Sequence, residues 1–447
     1  MPCVVPILDA LSRPGCLVIH FTGQRKRGEE HMNGIDTSWV LVSAALVLFM
    51  TPGLALFYGG MVRSKNVLAV MMNNYVAIGV ITVLWALVAC SFAFGHDAGF
   101  GLIGNFSLAG LGGLTHSLPG FSHAGASPMA IVIFQMMFAV ITAALISGGT
   151  TDRIKFTSFV LFICLWLVLV YAPLAHWVFS PEGWLARRGV LDFAGGTVVE
   201  INSGFSTLAI VLVLGRRRGW PSEGMAPHSV PLSLLGAGVL WFGWFGFNAG
   251  SAMGMNAVAV SAFANTQLAA AAGLLGWLCF ERIRESYPTT LGAASGAVAG
   301  MVAITPCAGF VTPMAALLIG LLAGVLCALA VRVKFKLRYD DSLDVLGVHG
   351  IGGLVGMILL GLFATRTINP NGANGLFSGG GFHLLGEEAL AAVTTVAFSF
   401  SVTWLLAKAI DKTIGLRVSP ENESTGLDLT QHAESAYSLG GMGRVGS

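Results

Sequence analysis

The stretch D-F-A-G-G-T-V-V-E-I-N-S, from Asp192 to Ser203, decides how this chain is expected to fold. It places two carboxylates, Asp192 and Glu200, in a segment that is otherwise apolar enough to cross a bilayer. A charged side chain inside a membrane costs about 3 kcal/mol or more, so acids there are rare and usually functional. The two acids are therefore the first candidates for a functional site.

The composition around this stretch is that of a polytopic membrane protein. Of 447 residues, 55% are hydrophobic and only 10% are charged. The net charge of +2 argues against nucleic acid as a partner. The seven cysteines form no C-x-x-C pair, and the chain carries neither a P-loop nor an H-E-x-x-H motif. The sequence therefore predicts no metal, no cofactor and no enzymatic activity.

Eleven apolar windows are long enough to cross a bilayer, for which about 20 residues are needed. Their approximate cores are 38–60, 67–94, 127–149, 156–179, 193–215, 230–250, 257–280, 289–306, 312–332, 344–365 and 386–410. The sequence thus predicts an all-α membrane protein with eleven transmembrane helices.

The loop charges predict the orientation of these helices. Most of the 24 Lys and Arg residues lie in the loops after windows 1, 3, 5, 7 and 9 and in the tail, whereas the opposite loops carry only Arg187, Arg188 and Arg366. Because cytoplasmic loops hold the excess of positive charge, we expect the C-terminus in the cytoplasm and the N-terminus outside. The chain would then be a multi-pass protein of the cell (inner) membrane.

Residues 1–31 differ from the rest of the chain. Their positive charges follow a broken apolar run instead of preceding it, which is not the order of a secretory signal. Four positive charges on an outside N-terminus would also break the charge rule. We therefore predict that residues 1–31 are an extension that does not belong to the natural protein, with the natural start at Met32. After this extension, we predict a membrane domain over residues 32–412 and a cytoplasmic tail over residues 413–447.

An odd count of eleven helices leaves room for a 5+5 inverted repeat and one extra helix. Window 5 begins with Asp192 and carries Glu200, while window 10 begins with Asp344 and carries His349. Inverted repeats place the substrate path between the two halves. Both aspartates are expected to cap free N–H groups at the start of their helices. Asp192 has a second interpretation, in which its charge acts on an outer cation site.

Glu200 and His349 lie within their windows, so they would face each other across the repeat. Such a pair could share a hydrogen bond and a proton, and hence accept and relay protons. The alternative is a satisfied polar contact that only locks two helices together.

A group of aromatic residues lies towards the outer ends of windows 3, 4 and 6. Its members are Phe134, Phe138, Phe179, Trp244 and Phe247. From the pattern alone, most of them would be core or lipid-facing residues. If several converge with the hydroxyl of Ser251, they form a cage that attracts a small cation through the ring faces.

Several long motifs in the right order resemble those of one family, the ammonium transporter, methylammonium permease and Rhesus family. The resemblance runs from about residue 39 to 437 and is strongest to the ammonium transporter branch. The motifs are L-F-Y-G-G (Leu56 to Gly60), D-F-A-G-G-T-V-V (Asp192 to Val199), G-W-F-G-F-N-A-G-S (Gly243 to Ser251), G-V-H-G (Gly347 to Gly350), G-L-R-V (Gly415 to Val418) and G-L-D (Gly426 to Asp428).

This resemblance implies a homotrimer in which each subunit has its own narrow pore. Ammonium would be recruited at an outer aromatic site and lose its proton. It would then cross an apolar pore as ammonia, while the proton is relayed separately. By motif position, the implied site residues are Phe138, Phe179, Ser251 and Asp192 for recruitment, Phe138 and Phe247 for a gate with Phe134 and Trp244 as neighbours, and Glu200 and His349 for the pore relay.

Two positions depart from the family pattern. Most members carry two histidines in the pore, but the first position here is Glu200, and Phe179 stands where the family has a cage tryptophan. A weaker outer site is therefore expected, because phenylalanine binds cations less well than tryptophan. These departures also leave open an ammonium sensor that binds but transports little. The tail resembles a regulatory segment that responds to a PII-type signal protein.

Overall fold

The computed structural model describes residues 33–114, 118–121 and 125–437. The predicted extension over 1–31 and its boundary at Met32 lie outside the described residues, as does the end of the tail from 438 onwards. Within the described ranges the chain is helical, with two isolated β-bridges and no strand. The predicted all-α class is confirmed.

Each predicted window coincides with a helical segment. These segments, numbered in chain order, are α1 (Gly34–Met61), α2 (Ser64–Phe94), α3 (Pro128–Thr150), α4 (156–179), α5 (Gly196–Leu214), α6 (Val230–Gly250), α7 (Ala257–Arg284), α8 (Thr290–Ile304), α9 (Pro313–Leu337), α10 (Leu346–Phe363) and α11 (His383–Thr413). Of the helices in the described part of the chain, ten are long and apolar enough to cross a membrane, and α8 is shorter at 15 residues. After α8 the chain turns through Pro306, whose carbonyl accepts a hydrogen bond from the Phe193 backbone N–H (3.1 Å).

Helices α5 and α10 share an unusual start. Each begins with a π-helical turn, Gly196–Ile201 in α5 and Leu346–Gly350 in α10. Just before these turns the backbone takes a positive φ, 111° at Gly195 and 63° at Asp344. Such π turns occur often at functional sites. The two candidate pore residues, Glu200 and His349, lie within these turns.

The same two helices cross at closely packed glycines. A Cβ on Gly204 would lie 2.3 Å from Cα of Gly350, and a Cβ on Gly353 would lie 2.9 Å from Cβ of Glu200. The backbones of α1 and α6 also lie close together. A Cβ on Gly236 would lie 2.2 Å from the backbone N of Phe57. In both pairs, α5 with α10 and α1 with α6, the helices therefore pack directly on each other.

A network of charged side chains joins the loops at one end of the bundle, which we call the basic face (loops 62–66, 151–155, 215–229, 285–289 and 338–345). Arg217 binds both oxygens of Asp340, at 2.7 and 2.9 Å, and lies 3.6 Å from Asp152. Asp152 also binds Arg63 (3.1 Å). The fully buried Arg153 donates to the carbonyl of Asp340 (2.6 Å). Four of the five loops are tied together by these contacts.

The tail packs on this network. The Val418 N–H donates to the carbonyl of Arg153 (3.0 Å), and the Leu427 N–H donates to the side chain of Asn66 (2.8 Å). Two short helices, Pro420–Thr425 and Leu427–His432, follow Val418, and the second begins at Leu427. The described part of the tail is therefore an ordered part of the basic face.

Replacing Asp340 with asparagine should lower the stability of the fold by about 3 kcal/mol at neutral pH, because it leaves buried arginines without their counter-charge. Burial alone would raise the pKa of Asp340, but the hydrogen bonds from Arg217 and the charge of Arg153 outweigh it and lower the pKa below 3.8. The carboxylate therefore stabilises the fold above that pH, and its contribution is lost as the pH falls through the lowered pKa.

Thermal unfolding in detergent, measured from neutral pH down to about pH 3, checks this prediction. The difference in Tm between the wild type and Asp340→Asn should shrink as the solution becomes acidic. A difference that grows at low pH would contradict it. The exposed acid Glu223 provides the control, since Glu223→Gln should leave Tm nearly unchanged.

Candidate functional site

The structure brings Glu200 and His349 into contact at the crossing of α5 and α10. Nδ1 of His349 lies 2.7 Å from Oε2 of Glu200, and both residues are buried, with exposed fractions of 5% and 1%. The close glycine contacts between α5 and α10 allow the Glu200–His349 contact, because no side chain separates the two helix backbones at the crossing. A hydrogen-bonded carboxylate and imidazole in an apolar setting can exchange a proton.

Asp192 lies at the start of α5 and holds its first turn. Oδ1 accepts hydrogen bonds from the N–H groups of Gly195 (2.8 Å) and Gly196 (2.7 Å). Oδ2 accepts from the N–H (2.8 Å) and the hydroxyl (2.5 Å) of Thr197. These contacts have the geometry of a helix cap. Asp192 therefore fixes the beginning of the helix that carries Glu200.

The prediction that Asp344 caps α10 is wrong. Its carboxylate pairs instead with Nζ of Lys334 (2.5 Å). The backbone N–H of Leu346 donates to Oδ2 of Asp341 (2.7 Å), so Asp341 is the capping residue. The spacing in the sequence could have shown this, because Asp341 precedes His349 by eight residues, just as Asp192 precedes Glu200.

Two phenylalanines close the passage towards the face opposite the basic face. The rings of Phe138 and Phe247 are stacked, with centroids 4.1 Å apart and planes 14° apart. Phe134 packs on Phe138 (4.8 Å) and Trp244 on Phe247 (5.6 Å). All four side chains are at most 2% exposed. The stacked rings leave no space between them, so a molecule could pass between them only if a ring rotated or moved.

Phe179 and Ser251 lie beside this stack. The ring of Phe179 meets that of Phe138 edge to face, with centroids 6.3 Å apart. The hydroxyl of Ser251 donates to the carbonyl of Phe247 (2.8 Å), which leaves its lone pairs free to accept. The structure thus brings the rings of Phe138, Phe179 and Phe247 together, whereas the hydrogen bond of Ser251 is to the backbone of its own helix. Asp192 binds the backbone of its own helix and makes no hydrogen bond to this group.

Trp177 does not belong to the aromatic group. Its indole N–H donates to the carbonyl of Leu102 (2.7 Å), and its ring packs on Trp184 (5.8 Å). It therefore cannot take the place of the tryptophan that is missing at position 179.

Two cavities lie on either side of His349. The smaller one has a volume of about 10 Å³ and lies between the phenylalanine stack and the Glu200–His349 pair. Its other lining residues include Leu54, Ile141 and Leu145, which are apolar. This space is enough for about one molecule of the size of water.

The larger cavity has a volume of about 130 Å³ and leads from His349 towards the basic face. Tyr58, Asp344 and Glu281 are among the residues that line it. The carboxylate of Glu281 already accepts hydrogen bonds from the Trp277 indole and from Thr289. His349 lines both cavities and is the polar boundary between them.

A stacked aromatic pair, a small apolar space and a hydrogen-bonded carboxylate–imidazole pair thus follow one another through the bundle. Groups of three or more His, Cys, Asp or Glu residues that could hold a metal do not occur in the described ranges.

Comparisons with known proteins all identify ammonium transporters as the similar proteins. The model of the Ammonium Transporter Family matches residues 38–437. The chain is 51% identical to an ammonium transporter of Mycobacterium tuberculosis over 431 residues, which cover 91% of this chain and 90% of the relative. It is 47% identical to an ammonium transporter of Bacillus subtilis, covering 90% of this chain and 98% of the relative.

Solved structures give the same result. The fold is similar to that of Mep2 from Saccharomyces cerevisiae, with a TM-score of 0.82, 33% identity and coverage of 88% and 91% of the two chains. It is equally similar to a structure described as a Sensor Amt Protein, with a TM-score of 0.82, 30% identity and coverage of 89% and 98%.

Proposed function

The chain belongs to the ammonium transporter family, and we propose that it takes up ammonium by separating the proton from ammonia inside the membrane. Ammonium is recruited at the site formed by Phe138, Phe179 and Ser251. The negative charge of Asp192 adds an electrostatic attraction for the cation. Ammonium passes the Phe138–Phe247 stack, gives its proton to the Glu200–His349 pair and continues through the apolar pore as ammonia, while the pair relays the proton.

The observation that carries this proposal is the position of the Glu200–His349 pair between a cavity of about 10 Å³ and one of about 130 Å³. A naked cation in the smaller, apolar cavity would lose most of its hydration, which costs several kcal/mol or more. Neutral ammonia fits this space at a much lower cost. The pair offers the removed proton a place to bind, so charge and ammonia can cross side by side.

The assembly and orientation belong to the same proposal. The basic face is cytoplasmic, since most of the positive charge of the loops lies there. The protein is a homotrimer in the cell (inner) membrane, and its remaining exposed apolar surface faces lipid. The ordered tail offers a PII-type signal protein a surface at the mouth of the pore.

A purified wild-type protein in proteoliposomes should give an inward current when ammonium is added, because one charge crosses with each ammonia. Current recorded on a supported membrane, at several ammonium concentrations, checks this prediction. Liposomes without protein are the control. A saturating uptake of labelled ammonia without current would contradict the charge-carrying mechanism.

A second candidate function is an ammonium sensor. It is favoured by the structural similarity to a Sensor Amt Protein and by Phe179 at the outer site. Ammonium binding without current in the same liposomes would support the sensor and overturn the transport proposal.

A further inference from the structure

Asn202 is a buried residue that the mechanism above does not use. It directly follows the π-helical turn Gly196–Ile201, which carries Glu200, and it begins the α-helical part of α5. The residue is 0% exposed, and both ends of its side-chain amide are hydrogen-bonded. An offset of two residues corresponds to about 200° around a helix, so Asn202 and Glu200 lie on nearly opposite sides of α5.

The backbone N–H of Asn202 passes over its usual acceptor. In an α-helix this N–H would donate to the carbonyl of Val198, four positions back. After the π turn it donates instead to the carbonyls of Thr197 and Val199. The side chain of Asn202 binds the carbonyl that is passed over, since its Nδ2 lies 3.1 Å from the oxygen of Val198. The side chain thus supplies a hydrogen bond that the π turn takes from the backbone.

The amide oxygen of Asn202 connects the turn to α11. Its Oδ1 accepts hydrogen bonds from the hydroxyls of Ser399 (2.8 Å) and Ser206 (3.3 Å). The Ser206 hydroxyl accepts in turn from the Trp166 indole N–H (2.9 Å) and from the Thr403 hydroxyl (3.0 Å). All five side chains are fully buried. These contacts hold the amide in one orientation, with Nδ2 towards the π turn.

The corresponding position in α10 has a different side chain. Ile351 follows His349 by two residues, as Asn202 follows Glu200, and its N–H also donates to the carbonyls three and five residues back. An isoleucine side chain has no donor for the carbonyl that is passed over. Of the two π turns, the one with Glu200 is therefore the one that the next residue stabilises.

The π turn determines the direction in which Glu200 points. It bonds each N–H to the carbonyl five residues back and so contains one residue more than an α-helical turn. One residue corresponds to about 100° of rotation in an α-helix. If the turn relaxed to α-helical bonding, Glu200 would rotate by about this angle relative to the rest of α5. The contact of 2.7 Å between Oε2 of Glu200 and Nδ1 of His349 would then be lost.

We propose that Asn202 is a positioning residue for the proton relay, which acts through Glu200. Its Nδ2 replaces the backbone hydrogen bond that the π turn gives up, and this keeps the turn from relaxing. The hydroxyl of Ser399 on α11 holds the amide in place. This inference rests on the proposed relay by Glu200 and His349 and adds a residue on the far side of the helix from that pair.

The test compares two substitutions of nearly the same shape, Asn202→Val and Asn202→Thr. A threonine hydroxyl in a helix can donate to the carbonyl four residues back, as those of Thr266 (2.7 Å) and Thr305 (2.8 Å) do, whereas valine has no such donor. In proteoliposomes the saturating ammonium-evoked current should fall by about 10- to 100-fold in Asn202→Val, and Asn202→Thr should restore most of it. The ammonium concentration that gives half of the maximal current should change little, because neither substitution is at the proposed recruitment site.

Asn74 in α2 provides the matched control. It is also fully buried, and its Nδ2 donates to the carbonyl four residues back, that of Val70 (2.7 Å), but within a regular α-helix. Asn74→Val should lower Tm about as much as Asn202→Val and leave the current per folded protein unchanged. An equal loss of current in the two valine variants would contradict a special role of Asn202 in the relay.

A second measurement follows the Glu200–His349 contact without relying on transport. The NMR signals of the His349 ring nitrogens, assigned with a His349→Ala variant, respond to the hydrogen bond with Glu200. These signals should shift in Asn202→Val and return to their wild-type positions in Asn202→Thr. In Asn74→Val they should stay where they are in the wild type.

The outcomes separate the two proposals. A wild type without current overturns the proposed transport, and the His349 signals still show whether Asn202 holds Glu200 in place. Unshifted signals or full current in Asn202→Val overturn the role of Asn202 and leave transport intact. If Asn202→Val does not fold, Asn202→Ala and Asn202→Ser make the same comparison with smaller side chains.

Discussion

Replacing Glu200 with alanine should reduce the ammonium-evoked current by about 100-fold, because a positioned proton acceptor typically contributes at least that factor. In the structure Oε2 of Glu200 lies 2.7 Å from Nδ1 of His349. The alanine variant leaves the imidazole without this partner in a buried site, so the proton has no second group to move to. The measurement is the current at saturating ammonium in proteoliposomes containing equal amounts of protein.

The matched control for this prediction is Glu200→Gln. Glutamine has nearly the same shape and can still bond to His349, but it cannot take up a proton at neutral pH. It should therefore fold with a Tm close to that of the wild type and conduct as poorly as the alanine variant. Wild-type current in the glutamine variant would remove Glu200 from the proton relay and leave it the role of a structural contact.

Replacing Gly204 with alanine should damage both stability and conduction. Its new Cβ would lie 2.3 Å from Cα of Gly350, and a backbone atom cannot move aside as a flexible side chain can. Overpacking of this kind costs about 1–3 kcal/mol. Separation of α5 from α10 also opens the contact between Glu200 and His349, and a misplacement of about 1 Å can cost about 100-fold in rate.

Gly79 in α2 provides the control for this substitution. A Cβ there would meet no atom within 4 Å, so Gly79→Ala should be neutral or slightly stabilising. Tm in detergent and current in liposomes, measured for both variants, test the difference. If Gly204→Ala matched Gly79→Ala in both measurements, the close crossing of α5 and α10 would not matter to the pore.

The fold could be predicted well from the sequence because a bilayer restricts the structures that an apolar segment can adopt. An apolar run of about 20 residues has few alternatives to a spanning helix, so each window coincided with a helix. Hydropathy does not fix where each helix ends. Window 8 was expected to reach residue 306, but α8 ends at Ile304 and the chain then turns through Pro306.

The site could be predicted only in part. The rarity of Glu200 and His349 within apolar segments singled them out, and the structure places them in contact. The capping residue of α10 was misassigned, because Asp341 and Asp344 both precede the helix and only the backbone decides which one reaches the N–H groups. The stacking of Phe138 on Phe247 has no signature in a single sequence, since ring planes depend on how α3 and α6 pack.

The Glu200–His349 contact has a further consequence when the charges of the pair are counted. With one proton between them, a carboxylate and an imidazole have a net charge of zero, whether that proton lies on oxygen or on nitrogen. Two histidines reach zero only after both have lost their extra proton, so at the same occupancy the Glu–His pair is one unit more negative. In the proposed relay, binding a proton therefore neutralises the Glu200–His349 pair, whereas a pair of histidines would become positive. A pair that is neutral while it holds its proton would not repel the next cation at the proposed outer site.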